Sequence, residues 1–347
     1  MNRAAIAYAL ASAALFGAST PLAKLLVGEI APLLLAGLLY LGSGIGLLAW
    51  FLLRGRTGRA KSLGKADLPW LAGAIVAGGV AGPALLMYGL TRSDGATASL
   101  LLNLEAVFTA TIAWVVFREN VDRRIFAGMA AIVAGGVVLS WNEMPRAGGL
   151  AGPLLIAAAC LAWAIDNNLT RRVSGGDAVT IAGLKGLVAG SVNLTLAMLQ
   201  GASLPAPSLL AAAGVLGLFG YGVSLVLFVV ALRHLGTART GAYFSVAPFF
   251  GAALALLVLR ESPSAAFWIA AALMAAGVWL HLTERHQHTH VHEPMEHAHV
   301  HSHDEHHRHE HAFDWDGREP HTHAHAHRSL THSHPHYPDL HHRHDHR

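Results

Sequence analysis

Residues 85–136 read LLMYGLTRSDGATASLLLNLEAVFTATIAWVVFRENVDRRIFAGMAAIVAGG, and residues 227–278 read LFVVALRHLGTARTGAYFSVAPFFGAALALLVLRESPSAAFWIAAALMAAGV. Laid over each other without a gap, the two stretches put Leu90 on Leu232, Phe108 on Phe250 and Gly135 on Gly277. Arg118-Glu119 falls on Arg260-Glu261 at the end of an apolar run in both. Near the starts of the two halves, LFGASTPLAK (15–24) parallels AWAIDNNLTR (162–171). Self-similarity at a fixed spacing marks a structure built from two copies of one unit.

The copies are membrane-like. The chain is 53% hydrophobic and 13% charged, against about 25% charged in soluble domains. Crossing a hydrocarbon core of about 30 Å takes about 20 apolar helical residues at about 1.5 Å each. Ten stretches qualify: 4–25, 30–53, 68–90, 95–117, 123–141, 149–169, 178–200, 208–232, 238–259 and 263–283. One of them, IAPLLLAGLLYLGSGIGLLAWFLL (30–53), carries no formal charge. The first is too long for a cleavable signal and is read as a span. The expected fold class is an all-α membrane protein of ten transmembrane helices, with a five-helix repeat over residues 1–142 and a second over 143–283. Residues 284–347 form a separate tail.

Basic residues collect on alternate loops. RGRTGRAKSLGK (54–65) follows the second span, and Arg118, Arg123, Arg124, Arg171, Arg172, Arg233 and Arg239 lie on the same side. The basic side of a span faces the cytoplasm, which places both termini there, in a multi-pass inner-membrane protein. Five spans per repeat is an odd number, so the second repeat is expected upside down relative to the first. Inverted repeats are an architecture of alternating-access carriers, whose substrate sites lie near the midplane.

Charges inside spans are costly, about 2.5–3.5 kcal/mol at the bilayer centre, and are therefore functional candidates. Glu105 stands about ten residues into its span, about 15 Å deep, and a carboxyl at that depth suits proton coupling. Lys185 either snorkels to the surface or pairs with Glu105. Asp166 lies close to Arg171 and Arg172, where a local ion pair is expected. Asn103, Asn167, Asn193, Tyr221 and Tyr243 could line the same substrate or coupling site, with Asn168 beside them. Pro21, Pro83 and Pro248 interrupt helical hydrogen bonding. Lys24 and Arg239, at span ends, are expected to snorkel, and Trp50, Trp70 and Trp141 to anchor spans at interfaces. The single cysteine, Cys160, excludes an intrachain disulfide and a cysteine zinc site.

The order of these features resembles the EamA-type branch of the drug/metabolite transporter superfamily. The resemblance covers residues 4–283 and rests on LLLNLEAVFTATIAWVVFREN and ARTGAYFSVAPFFGAALALLVLRES, each closing on Arg-Glu before a Gly-rich span. One departure is Ala106, where members often carry a proline that the ninth span keeps as Pro248. The resemblance implies a secondary carrier of small organic solutes, commonly an exporter, working without a cofactor.

The tail is another material. HQHTHVHEPMEHAHVHSHDEHHRHEH (286–311) and HTHAHAHRSLTHSHPHYPDLHHRHDHR (321–347) hold 23 of the 25 histidines. Its low apolar content predicts disorder without metal. Imidazole binds zinc, nickel, cobalt and copper, and His299, His301, His303, His306, His307, His321, His323, His325, His327, His332, His334 and His336 are the candidate ligands. The expected partners are therefore lipid, a small-molecule substrate and divalent metal ions, with a homodimer left open. A divalent-metal efflux protein and a membrane-anchored metal buffer or sensor without transport remain as alternative readings. An enzyme is not expected, because no nucleophile–base set, phosphate loop or embedded His/Glu protease motif stands out. Nucleic-acid binding is not expected either, the basic residues being spread over loops as orientation requires.

Overall fold

The computed structural model describes residues 3–54, 64–117, 123–143, 149–173, 177–235, 240, 243–283, 287–292, 295–301, 321–327 and 330–335. The chain divides into a unit Met1–Glu284 and a unit Arg285–Arg347.

Among the described residues, the regular elements of the first unit are all helices. Helix α1 is Arg3–Leu26, α2 is Pro32–Arg54, α5 is Arg123–Glu143, α6 is Ala151–Val173, α7 is Ala178–Leu199, α9 is Ala247–Val258 and α10 is Ala265–Leu282. Three spans are interrupted. Helix α3 runs Leu68–Ala74, then a π-helical turn Ile75–Ala81, then Gly82–Leu90. Helix α8 repeats the device, with Pro207–Gly217, a π turn Leu218–Val223 and Ser224–Leu235. Helix α4 is Gly95–Leu101 and Leu104–Phe117, broken at Leu102 and Asn103.

Among the described residues, eight helical stretches, those of α1 to α8, are long and apolar enough to cross a membrane. The chain is thus a multi-pass membrane protein. The ninth and tenth expected spans correspond to shorter apolar helices, Ala247–Val258 and Ala265–Leu280. The ninth is shorter than the 238–259 expected because a turn at Ser245 and Val246 precedes α9, whose first turn holds Pro248. Proline has no N–H to give the preceding turn, so a helix starts there more readily than it continues through.

The two halves share these irregularities at matching places. The π turns of α3 and α8, and the breaks at Leu102-Asn103 and Ser245-Val246, fall within one residue of corresponding positions of the two repeats. Packing is reciprocal as well: α1 lies on α9 and α8, while α6 lies on α4 and α3, and α2 meets α7 as α5 meets α10.

The α2–α7 contact is the most extensive, and glycine makes it possible. A Cβ on Gly44 would stand 2.5 Å from the Leu187 backbone nitrogen, and one on Gly190 would stand 2.6 Å from that of Leu41. Backbones in lipid approach this closely only where side chains are absent. The buried core includes Leu34, Leu35, Leu39, Leu86, Met87, Leu100, Leu101, Ile132, Ile156 and Met274. The outside is apolar too: Leu53, Leu199 and Leu257 are 86%, 79% and 76% exposed. Trp50, Trp70 and Trp141 are also exposed.

In the tail unit, β1 (Gln287–His292) pairs antiparallel with β4 (Leu330–Pro335), and β2 (Met295–His301) with β3 (His321–His327). The histidines alternate with β-branched Thr289, Val291, Val300, Thr322 and Thr331, a period-two pattern with residues that favour extended backbone.

Candidate functional site

The π turn of α3 is the centre of a polar cluster. A π turn displaces backbone carbonyls from their usual intrahelical partners, and here side chains reach three of them. The Gly78 carbonyl accepts from the Tyr40 hydroxyl (2.8 Å) and from Trp163 Nε1 (2.9 Å). Asn193 Nδ2 donates to the carbonyls of Gly79 and Val80, each at 3.3 Å. Gly78 must be glycine, because a Cβ there would overlap the Asp166 carboxylate.

Asp166 is buried against that bare backbone. Lys185 donates to both of its oxygens, at 2.5 and 2.7 Å. Thr170 Oγ1 donates to Asp166 Oδ1 at 2.7 Å, and Lys185 also reaches Thr170 at 3.3 Å. With 15% and 9% of the Lys185 and Asp166 side chains exposed, this pair is largely withdrawn from solvent. The sequence had suggested Glu105 as the partner of Lys185; the partner is Asp166. The two residues stand at similar distances from the loop joining α6 to α7, so the long lysine side chain finds Asp166 at its own level.

Glu105 is held by the next residue along α6. Asn167 Nδ2 donates to Glu105 Oε1 at 2.8 Å and approaches Thr109 Oγ1 at 3.5 Å. Glu105 is half-buried and Asn167 exposed. The break in α4 explains the position of the carboxyl. Leu102 and Asn103 bond backwards by three residues, and Leu104 starts a new helix with Glu105 in its first turn. The positive end of the helix dipole favours a carboxylate there. Asn103 serves the break itself, donating to the Leu100 carbonyl at 2.9 Å while buried. Asn168 donates to the Ala164 carbonyl of its own helix at 2.9 Å and to the Thr109 carbonyl of α4 at 3.4 Å.

An aromatic row leads away from this cluster. Tyr40 meets Tyr221 (5.4 Å between ring centres), Tyr221 meets Phe16 (6.0 Å), Phe16 meets Phe244 (5.4 Å) and Phe244 meets Phe228 (4.9 Å). All five are only partly buried. Tyr221 sits in the π turn of α8, where Gly220 lies against Ser19 as Gly78 lies against Asp166. Ser19 and Asp166 are matched residues of LFGASTPLAK and AWAIDNNLTR, so the two halves build the same contact and only the second half charges it. Tyr243 is half-buried.

Of the expected site residues, the fold thus gathers Glu105, Asp166, Asn167, Lys185 and Asn193 around the α3 π turn and puts Tyr221 on the aromatic row. It leaves Asn103 inside the α4 break. Tyr40 and Trp163 were missed; an aromatic ring with a polar tip inside an apolar span was the available signal. Lys24 does not simply snorkel: it donates to the carbonyls of Leu90 and of Ser93 (2.9 Å). Arg239 lies outside the described residues, as do Arg118 and Glu119. Cys160 is fully buried.

Among residues whose side chains are described, all in the membrane unit, no group of three or more histidine, cysteine, aspartate or glutamate residues could hold a metal ion. Of the tail candidates, His303, His306, His307 and His336 lie outside the described residues. His299, His301, His321, His323, His325, His327, His332 and His334 lie on strands.

The comparisons with known proteins follow the same division of the chain. An uncharacterized transporter of Methanothermobacter thermautotrophicus is 32% identical over 208 residues, which are 58% of this chain and 60% of that protein. The chain thus spans about three fifths of that relative's length. A crystal structure sharing 22% identity superposes with a TM-score of 0.62, covering 82% of this chain and 99% of that one, and shares the fold. The EamA-like transporter family matches twice, at residues 3–141 and at 150–283. With both halves matched and most of its length covered, this chain belongs to the EamA-like transporter family.

Proposed function

We propose that the protein is a secondary carrier, in the exporting direction, of a small organic solute. Ten spans would form two inverted five-helix repeats in the inner membrane, with both termini cytoplasmic. The solute would bind where the α3 π turn meets α2, α6 and α7. The observation that carries this reading is the Asp166–Lys185 pair, a buried ion pair inside apolar spans beside a partly exposed aromatic row. A charged pair supplies fixed recognition for a polar group, and the aromatic row supplies surface for an apolar body. Glu105, which accepts from the neutral amide of Asn167, is the candidate coupling residue.

Divalent metal as the cargo is disfavoured by the same geometry. The buried Asp166 carboxylate is already neutralised by an ammonium group, which would repel a dication. The metal-binding role is proposed for the tail, whose histidines suit zinc, nickel, cobalt or copper. Flux of candidate solutes into proteoliposomes, with and without residues 284–347, tests both parts. A carrier moves solute in both forms. Zinc binding by the full chain that disappears in the truncated form assigns metal to the tail. Absence of flux across a broad solute panel would remove the carrier reading.

A further inference from the structure

The register of the tail strands assembles its histidines into rungs. On β2–β3, His297 is opposite His325, His299 opposite His323 and His301 opposite His321. On β1–β4, His288 is opposite His334 and His290 opposite His332. Alternate residues of a strand share a face, and directly opposed residues share it too. The six histidines of β2–β3 therefore occupy one face as three rungs, about 5 Å across and about 7 Å apart along the strands. The positions between them pair Glu296 with Ala326, Ala298 with Ala324 and Val300 with Thr322, so the other face is composed mainly of small and β-branched residues.

This arrangement depends on register. A slip of one residue would set His297 against Ala326 and His299 against Ala324, and every rung would vanish. His297, His288 and His290 gain a role here that spacing within one strand does not reveal.

We propose that the juxtaposition of His297 with His325, His299 with His323 and His301 with His321 makes the β2–β3 pair the tight binding element of the tail for a divalent first-row transition ion. This rests on the tail as the metal-binding part and adds that tight binding needs opposed histidines rather than histidine content. Neutral imidazole is a zinc ligand, and opposed histidines bring several of them onto one short strand pair. Binding releases protons from imidazolium below neutral pH. Because a preformed site is absent from an unpaired chain, the ion would also hold the strands in this register.

The test keeps every histidine. One alanine inserted after Ala298 shifts His299 and His301 against β3, whereas one inserted after Gly317, between the strands, leaves all three rungs intact. Zinc titration of the full-length protein in detergent by calorimetry should show the tightest sites weakened about tenfold or more by the first insertion, and unchanged by the second. Equal binding by the two variants and the parent overturns the rung proposal while leaving tail binding in place. A full chain that binds no more zinc than residues 1–283 overturns the tail reading itself. A paired substitution gives a second check: His299→Gln with His323→Gln should remove the tight class, while His306→Gln with His307→Gln should spare it. Equal losses from the two pairs count against the rungs.

Discussion

Glu261 caps a helix that is not its own: its carboxylate accepts the backbone N–H of Gly95 at 2.6 Å and that of Ala96 at 2.8 Å, at the start of α4. Asp94 holds the N-cap position of α4 but makes no side-chain cap bond. Glu261 is brought there by Arg260, whose φ of 52° places a non-glycine residue in the left-handed region to turn the chain. Lys24 completes the joint by donating to the Leu90 and Ser93 carbonyls at the end of α3. An anion thus meets a helix start and a cation a helix end, the favourable sense for both dipoles.

Removing this cap should be felt as stability. Glu261→Ala is expected to cost about 1–2 kcal/mol, read as a lowered apparent unfolding temperature in detergent. Glu261→Gln, which keeps a carbonyl acceptor, should lie between the parent and alanine. Lys24→Met should also lower the temperature, by leaving two carbonyls without their donor. If Glu261→Ala unfolds with the parent, the contact contributes nothing to the joint.

The Asp166–Lys185 pair separates structure from transport. Breaking a buried pair from one side strands the other charge and costs about 3–5 kcal/mol, while removing both is often close to neutral. Asp166→Asn and Lys185→Met should each reduce folded yield. The double variant should recover most of that yield and still fail to carry solute in proteoliposomes. Recovery of flux together with yield would make the pair a structural element only.

The spans were legible because lipid demands long apolar runs, and the repeat was legible because Arg-Glu recurs at matching ends. The interruptions were not. Nothing in Ile75–Ala81 or Leu218–Val223 distinguishes a π turn from an α-helix by composition, since the choice depends on which side chains capture the freed carbonyls. Tyr40, Trp163 and Asn193 do so from three other helices. Gly78 packs against the Asp166 carboxylate, a contact that its place in an apolar run does not announce. A lysine inside an apolar span needs a partner, and hydropathy does not choose between Asp166 and Glu105 as that partner.

Glycines should divide sharply by what faces them. At Gly44 and Gly190 any side chain meets the backbone of the opposite helix, so Gly44→Leu or Gly190→Leu should cost more than about 3 kcal/mol and abolish monodisperse protein in size-exclusion chromatography. Gly214, inside α8, has nothing within 4 Å of a built Cβ. Gly214→Ala should change stability by no more than about 1 kcal/mol, in the stabilising direction if helix propensity dominates. A tolerated leucine at Gly44 would mean that α2 and α7 do not touch as described.

Glu105 carries the sharpest functional prediction. Its recorded side-chain partner is Asn167, which donates an N–H to it, and a glutamine in its place still offers a carbonyl oxygen to that donor. Glu105→Gln should therefore fold and unfold like the parent, within about 0.5 kcal/mol. If Glu105 couples proton movement to solute movement, the variant keeps solute exchange between equal pools, because exchange needs binding and conformational change but no net proton. Uphill accumulation driven by a pH difference should fall to the level seen with the gradient collapsed. Asn167→Ala distinguishes positioning from coupling: it leaves the carboxyl in place but unanchored, so it should raise the solute concentration needed for half-maximal flux while preserving the response to the gradient. A Glu105→Gln protein that still accumulates solute under a pH difference would remove the coupling role and leave Glu105 as a helix-start carboxylate beside the α4 break.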